Sequence, residues 1–322
     1  MRTVVGVLRG GPSSEYEVSL KSGASVLAAL NQDKYEPRDI FIDRSGVWHH
    51  RGVGAPPERA LAGVDVAFNT IHGEYGEDGS LHRILDPLGV PYTGARKLAS
   101  VLAFNKAATR EAAAKLGVKV PLGRVVSATD DVEGLARELL RSAPFPAVVK
   151  PVIGGSSVGV SIAKSYHELV QGLKEAARIA DKMLVEEYIA GKEATVGVVD
   201  DFRGQAHYAL MPVEIVPPPG NFFDYNNKYN GATLERVPGT FTPAQKQELE
   251  RLAALVHKEL GMQHYSRSDF IVSRRGIYLL EVNSAAAVGL TEESLLPKAL
   301  KAVGASLTHF LDHVISLARR PS

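Results

Sequence analysis

Hydrophobic and polar positions along this chain change period several times, and each change marks an element. Residues 3–8 are a β-branched apolar run, Gly10-Gly-Pro-Ser-Ser interrupts it, and residues 17–30 carry apolar positions at helical spacing. A strand, a loop and a helix are predicted in that order. Apolar runs around Ile40 and at residues 64–68 continue the pattern, giving a small α/β unit of parallel-sheet character that ends near Gly94. Residues 97–116 read as one alanine-rich helix, closed by Gly117 and followed by an extended stretch to Pro121. A second unit centres on Phe145-Pro-Ala-Val-Val-Lys-Pro151, and a third begins near Met183 and runs to a last helix at residues 306–318. The expected division is 1–95, 96–182 and 183–322, within a mixed α/β architecture.

The most informative alternation lies in Arg267-Ser-Asp-Phe-Ile-Val-Ser-Arg-Arg-Gly-Ile-Tyr-Leu-Leu-Glu-Val-Asn283, which reads as two strands joined at Arg274-Arg275-Gly276. Folding it about Arg275 sets Asp269 opposite Glu281 and Arg267 opposite Asn283, all on one face. Ile271 and Leu279 are expected on that same face, so the carboxylates sit at the end of a buried surface and call for a cation. Two carboxylates and an amide oxygen are hard ligands, suited to magnesium or manganese on a nucleotide phosphate. A solvated strand end is the plain alternative.

Composition narrows the function classes. The chain has 322 residues, 45% hydrophobic and 23% charged, enough for two or three packed units. A net charge of +1 and the lack of a dense basic run give no support to nucleic-acid binding. There is no cysteine, which excludes disulfides, thiol nucleophiles and thiolate metal sites. The short apolar run after Met1 is too brief for a signal peptide or a span, so a cytoplasmic protein without membrane association is expected.

Other segments carry candidate chemistry. Lys150-Pro-Val-Ile-Gly-Gly-Ser-Ser-Val-Gly159 is a Gly/Ser-rich loop whose amides and hydroxyls could wrap phosphate oxygens, with Lys150 as a point charge; a plain turn is the alternative. It is not a Walker loop, because the G-x-x-x-x-G-K-[ST] pattern is absent and a strand-like run follows. His72-Gly-Glu-Tyr-Gly-Glu-Asp-Gly79 follows a strand at the end where α/β sheets bind ligands, though its acidic residues could simply cap a helix starting near Ser80. Glu15 lies at the same end of that sheet. The aromatic and polar segment 221–229, after Pro217-Pro-Pro-Gly220, could close over a site. His309 and His313 share helical spacing without a carboxylate motif and read as surface or packing residues.

These segments, with Asp224-Tyr-Asn-Asn-Lys-Tyr229 and Leu280-Glu-Val-Asn283, occur in an order that resembles the D-alanine–D-alanine ligases of the ATP-grasp fold, from residue 10 to about residue 297. The resemblance implies that ATP phosphorylates the carboxylate of one D-alanine and that the amine of a second displaces phosphate, for peptidoglycan synthesis. It implies that Lys106, Lys150, Ser157, Glu186 and Glu193 contact ATP, the lysines at phosphates and the glutamates at adenine and ribose. Asp269, Glu281 and Asn283 would hold two Mg2+ or Mn2+ ions. Glu15 and His72 would orient the first D-alanine, Glu15 being linked through Ser156 to Tyr229. Arg267 and the Gly289 amide would form the oxyanion hole, Lys228 would reach the transferred phosphate, and Ser294 with the Leu295 backbone would hold the second D-alanine. The Lys228-Tyr229 pair favours an amine nucleophile. A homodimer is implied only because the family is commonly dimeric.

The chain departs from the family in one place. The family's short N-T-x-P-G-M-T-x-x-S turn is here Asn283-Ser-Ala-Ala-Ala-Val-Gly-Leu-Thr-Glu-Glu-Ser294, two residues longer and without proline. Another difference is His82-Arg83, where the family often has Gln-Gly. Two readings of different class follow. One is an active ligase, with D-alanine or another acceptor such as D-serine; the other is a nucleotide-binding protein in which the altered 284–288 loop has weakened or abolished ligation.

Overall fold

The structure, a computed structural model, describes residues 2–129, 131–142, 144–155, 158–218 and 233–320. Ser156 and Ser157, and the whole of the expected closing loop 221–229 with Lys228 and Tyr229, lie outside the described residues. No described helix is long and apolar enough to cross a membrane.

Three sheets organise the described chain. The first holds β1 (Thr3–Gly10), β2 (Tyr35–Ile42), β3 (Trp48–His50), β4 (Val53–Gly54) and β5 (Val66–Asn69) in the order β4-β3-β2-β1-β5. Strand β1 runs parallel to both β2 and β5, as the apolar runs predict, while β3 and β4 add antiparallel edges. Helices α1 (Tyr16–Ala29), α2 (Pro57–Ala60) and α3 (Ser80–Leu88) belong to this part. Alternation along β1 divides its side chains between two cores. Val5 and Val7 pack with Phe310 and Val314 near the C-terminus, whereas Leu8 packs with Ile40, Ile71 and Leu81.

The single helix expected over 97–116 is two, α4 (Lys97–Phe104) and α5 (Lys106–Lys115). Asn105 makes the break. Its backbone is extended, its side chain caps the Ala108 N–H at 3.0 Å, and the Lys106 N–H leaves the helix to donate to the Val152 carbonyl at 2.9 Å. A long-range bond has replaced an intrahelical one.

The second sheet contains β6 (Gly123–Ser127), β7 (Ala147–Pro151), β8 (Ser161–Ala163) and β9 (Lys182–Glu187) in the order β6-β9-β7-β8, all antiparallel. Helices α6 (Val132–Ser142) and α7 (Tyr166–Ala177) cover one face over Ala147, Val149, Met183 and Val185. Strand β9 thus pairs inside this sheet as far as Glu187, although the sequence division assigns residues from 183 onward to the third stretch.

The third sheet has β10 (Lys192–Phe202), β11 (Gln205–Ala209), β12 (Val213–Val216), β13 (Leu234–Arg236), β14 (Tyr265–Ser273) and β15 (Gly276–Ser284) in the order β13-β12-β10-β14-β15, with β11 also on β10. Helix α8 (Pro243–Glu259), opened by a Thr242/Gln245 capping box, packs on it through Leu249, Leu252 and Val256. Helices α9 (Leu295–Ala302) and α10 (Leu307–Ala318) complete the chain and share a core with β1 and β5.

Candidate active site

A cleft separates the faces of the second and third sheets that carry no covering helix. Alternation in β7 sends Val148 and Lys150 into it and Ala147 and Val149 into the core beneath α6 and α7. From the facing sheet come Glu193, Asp269, Ile271, Leu280 and Glu281. Six expected residues, Lys106, Lys150, Glu186, Glu193, Asp269 and Glu281, therefore line one space.

The hairpin register is as the alternation predicts at its carboxylate end, with Arg267 opposite Asn283 and Asp269 opposite Glu281. Beyond that pair it shifts by one, so that Phe270 lies opposite Leu279 and Leu280 is the extra residue of a bulge. The expectation for Leu279 is corrected accordingly: it is fully buried with Phe270, while Leu280 and Glu281 both line the cleft.

Both carboxylates have protein cations beside them. Asp269 accepts from Arg267 Nε at 3.0 Å and Nη2 at 2.9 Å, from the Thr195 hydroxyl at 2.5 Å and from Asn283 Nδ2 at 3.0 Å. Glu281 Oε2 lies 3.3 Å from Lys106 Nζ, which also donates to the Gly154 carbonyl at 2.5 Å. The break at Asn105 is what brings Lys106 here. The donor set of Asp269, Glu281 and the remaining Asn283 Oδ1 is all hard oxygen and fits a divalent cation.

On the opposite wall, Glu186 sits across from Val148 and is buried. Its Oε1 lies 2.5 Å from Lys150 Nζ, and its Oε2 is 3.5 Å from Arg110 Nε but makes no hydrogen bond among the described residues. Glu186 lines the cleft, and an acceptor there suits an amino group such as that of adenine. The next residue, Glu187, is held by Arg275 at 2.6 Å and by the Leu122 N–H at 3.0 Å, which ties the third sheet's hairpin turn to the second sheet.

The first sheet delivers the remaining groups from its carboxyl end. Ser13 donates to the His72 carbonyl at 2.7 Å and accepts the Glu15 N–H at 3.0 Å, joining the two loops. His72 is buried with Nε2 3.0 Å from the Ser22 hydroxyl. The Glu15 carboxylate reaches the Gly-rich loop: a Cβ built on Gly155 would lie 2.5 Å from Glu15 Oε2, and one on Gly73 3.0 Å from it. Glu77 accepts the Gly73 N–H at 2.6 Å. Burial pushes its carboxyl well above the usual range and Glu15 pushes in the same direction, with the Gly73 bond and Lys106 opposing. Sequence reasoning gave Glu77 no more than a capping role. Of the expected caps it is Asp78 that takes the Ser80 N–H, at 2.8 Å.

The long exit from the hairpin folds into a 3₁₀ turn at Ala285–Ala287, with Ala285, Ala286 and Val288 buried. Contact with the first unit is close, since a Cβ built on Gly94 would lie 2.9 Å from the Ala285 side chain; Gly94 also has φ +101°, so only glycine suits both demands. Past the turn, a Cβ on Gly289 would lie 2.6 Å from Ser294 Oγ, and Ser294 Oγ lies 2.8 Å from the Thr291 hydroxyl. Leu295, buried, begins α9, and the Leu290 carbonyl accepts from Ser25 at 2.9 Å. Ser22 and Ser25 share a face of α1, so one helix bridges His72 and the 289–295 segment.

Thr195, Arg110, Ser13 and Glu77 are the site residues that sequence reasoning missed. Thr195 sits directly opposite Asp269 in the β10–β14 pair, a signal available only once those strands are paired. His82, the other departure, is a packing residue: its ring meets Tyr92 edge-on, and Nε2 lies 3.1 Å from the Ala95 carbonyl.

Residues 4–60 match the family model described as the D-ala D-ala ligase N-terminus, and residues 115–316 that of the D-ala D-ala ligase C-terminus. The chain is 39% identical over 316 residues to the D-alanine–D-alanine ligase of Geobacter sulfurreducens, covering 97% of this chain and 93% of that protein. With the enzyme of the same name from Syntrophotalea carbinolica it shares 37% over 313 residues, 97% and 95% of the two chains. Among solved structures, the VanG D-Ala:D-Ser ligase of Enterococcus faecalis superposes with a TM-score of 0.85 at 28% identity, over 99% and 100% of the chains. The D-alanine–D-alanine ligase of Bacillus anthracis complexed with ATP gives 0.79 at 29%, over 98% and 97%. The chain belongs to the D-alanine–D-alanine ligase family, and its fold is ATP-grasp.

Proposed function

We propose that this protein joins two D-alanines into D-alanyl-D-alanine at the expense of ATP, releasing ADP and phosphate, as a cytoplasmic step of peptidoglycan precursor synthesis. One observation carries the reading beyond nucleotide binding. Glu15, from the first unit, is buried with its carboxylate against Gly155 of the Gly-rich loop, beside a cleft that a nucleotide alone would need. Holding ATP requires no buried carboxylate at that point; orienting an amino acid's ammonium does.

In this reading Lys106 and Lys150 meet phosphates, Glu193 the ribose, and Glu186 the adenine amino group. Asp269, Glu281 and Asn283 would hold Mg2+ or Mn2+, which when bound would neutralise charge on the phosphates. Glu15 and His72 orient the first D-alanine so that its carboxylate oxygen meets the terminal phosphorus of ATP as ADP leaves. The amine of the second D-alanine, its carboxylate held by Ser294 and the Leu295 N–H, then attacks the acyl carbon. Arg267 and the Gly289 N–H receive the charge that develops on the acyl oxygen before phosphate departs. The 3₁₀ turn takes up the extra length between Asn283 and Gly289, and Gly289 returns against Ser294, which supports an active site over a degenerate one.

The test is phosphate release with ATP and D-alanine, with the product identified by mass and D-serine offered as competing acceptor. D-alanine-dependent release with dipeptide formed is expected. Nucleotide binding without D-alanine-dependent release would sink the proposal, and preferential incorporation of D-serine would change the acceptor.

A further inference from the structure

Away from the cleft, β10, β11 and α8 bring an aspartate and two histidines together. Asp200 and His207 are directly opposed across the β10–β11 pair, and His257 comes from α8 with its side chain fully buried. Asp200 Oδ1 lies 2.8 Å from His207 Nδ1 and 2.9 Å from His257 Nε2. One oxygen from the aspartate and one nitrogen from each imidazole all lie within 4.8 Å of one another. We propose that Asp200, His207 and His257 form a binding site for a zinc-type divalent metal, separate from the hard-cation face of the cleft.

The donor chemistry selects the class of ion. Two imidazoles and one carboxylate suit Zn2+, Co2+ or Ni2+, whereas Asp269, Glu281 and Asn283 offer oxygen alone. The size is also suitable. Ligands about 2.0 Å from a tetrahedral ion stand about 3.3 Å apart, so the two aspartate–histidine contacts need to lengthen by about half an ångström, and the third ligand pair already lies within 4.8 Å.

The supporting contacts are those a metal ligand needs. His257 Nδ1 lies 2.7 Å from the buried Ser266 hydroxyl, which orients the ring and can accept its proton when Nε2 is the ligand. Asp200 Oδ2 takes the His264 N–H at 2.6 Å, which fixes the carboxylate and leaves Oδ1 for an ion. His264 itself holds a left-handed backbone, φ +65°, with Nδ1 accepting the Gly94 N–H at 2.8 Å. A cavity of about 320 Å³, lined among others by Asp200, His207, His264, Tyr92 and Arg320, opens beside the cluster and leaves room for a water as fourth ligand. An ion there would clamp the β10–β11 hairpin to α8 at the junction with the first unit.

The full chain, stripped of metal, is dialysed against Zn2+ with excess Mg2+ and ADP present to occupy the cleft. A single tightly held equivalent of Zn2+ is expected in the parent. It should be lost in His207→Ala and in His207→Gln, which alter a half-buried strand residue, and be held about 10-fold more weakly in Ser266→Ala. Co2+ in place of Zn2+ should give a visible absorption band that disappears with His207. Parent protein that retains no Zn2+, or His207 variants that retain it as tightly as the parent, would overturn the site.

Discussion

Arg267 and Asp269 form a bidentate ion pair, Nε to Oδ1 at 3.0 Å and Nη2 to Oδ2 at 2.9 Å, so the expected cation ligand already has a buried countercharge. Asp269→Asn leaves the buried Arg267 without it. A stability loss of about 3 kcal/mol is expected along with loss of turnover. Glu281 is more exposed, its side chain at 31%, and Glu281→Gln should cost under about 1 kcal/mol while lowering turnover roughly 10³-fold. Urea unfolding and phosphate release measure the two effects; full activity in either variant would remove the cation-binding role.

Gly155 makes room for the Glu15 carboxylate. In Gly155→Ala the new methyl displaces Glu15 Oε2 from 2.5 Å, a flexible group that can move without unfolding the chain. The expected result is a roughly 100-fold fall in kcat/KM for D-alanine, larger than any change in ATP affinity, with the melting temperature unchanged. An unchanged D-alanine dependence would show that Glu15 does not orient substrate.

Gly289→Ala tests the hairpin exit in a similar way, because its methyl would stand 2.6 Å from Ser294 Oγ. Displacing either group from the developing oxyanion or the second D-alanine is expected to cost roughly 100-fold in kcat with nucleotide binding retained. Steady-state kinetics over both D-alanine sites read the effect, and parent-like kcat would place this segment outside the chemistry.

Glu77 gives a pH signature. Its carboxyl is pushed well above 4.5, chiefly by burial and then by Glu15, so the stability it confers is complete below 4.5 and is lost as pH rises through the raised value. Glu77→Gln keeps an acceptor for the Gly73 N–H and cannot ionise. Its melting temperature relative to the parent should therefore climb as pH rises above 4.5; a constant difference would rule out the neutral acid.

His264 titrates with the opposite sign. Burial, aided by Arg96 and opposed by Asp200, pushes its pKa down to about 4 from 6.5. The neutral ring's contribution is thus whole above 6.5 and is lost as pH falls from there toward 4, about 3 kcal/mol in all. Asn tolerates φ +65° and can accept the Gly94 N–H, so His264→Asn should flatten that acid slope in thermal melts. An unaltered slope would assign it to another group.

Much of the site was legible because its parts are local. The hairpin's period of two and its short turn set Asp269 opposite Glu281 before any other strand is considered, and the structure keeps that register. Leu279 was misplaced because a bulge responds to packing: Leu279 and Val282 both seat in the core with Phe270, which forces Leu280 and Glu281 together into the cleft. Residues 97–116 have continuous helical spacing, and nothing within them announces that Val152, in another unit, will take the Lys106 N–H.

By itself, the sequence determined the apolar periodicities, the loops that carry glycine beside charge, the order of the motifs and the hard-oxygen face, since each depends on residues close along the chain. Thr195 opposite Asp269, the turn of Lys106 toward Glu281, Glu15 against Gly155 and the Asp200 cluster were decided only by tertiary structure. The physical reason is that desolvated charges and displaced backbone donors must find partners wherever packing places them, at sequence separations that periodicity does not reach.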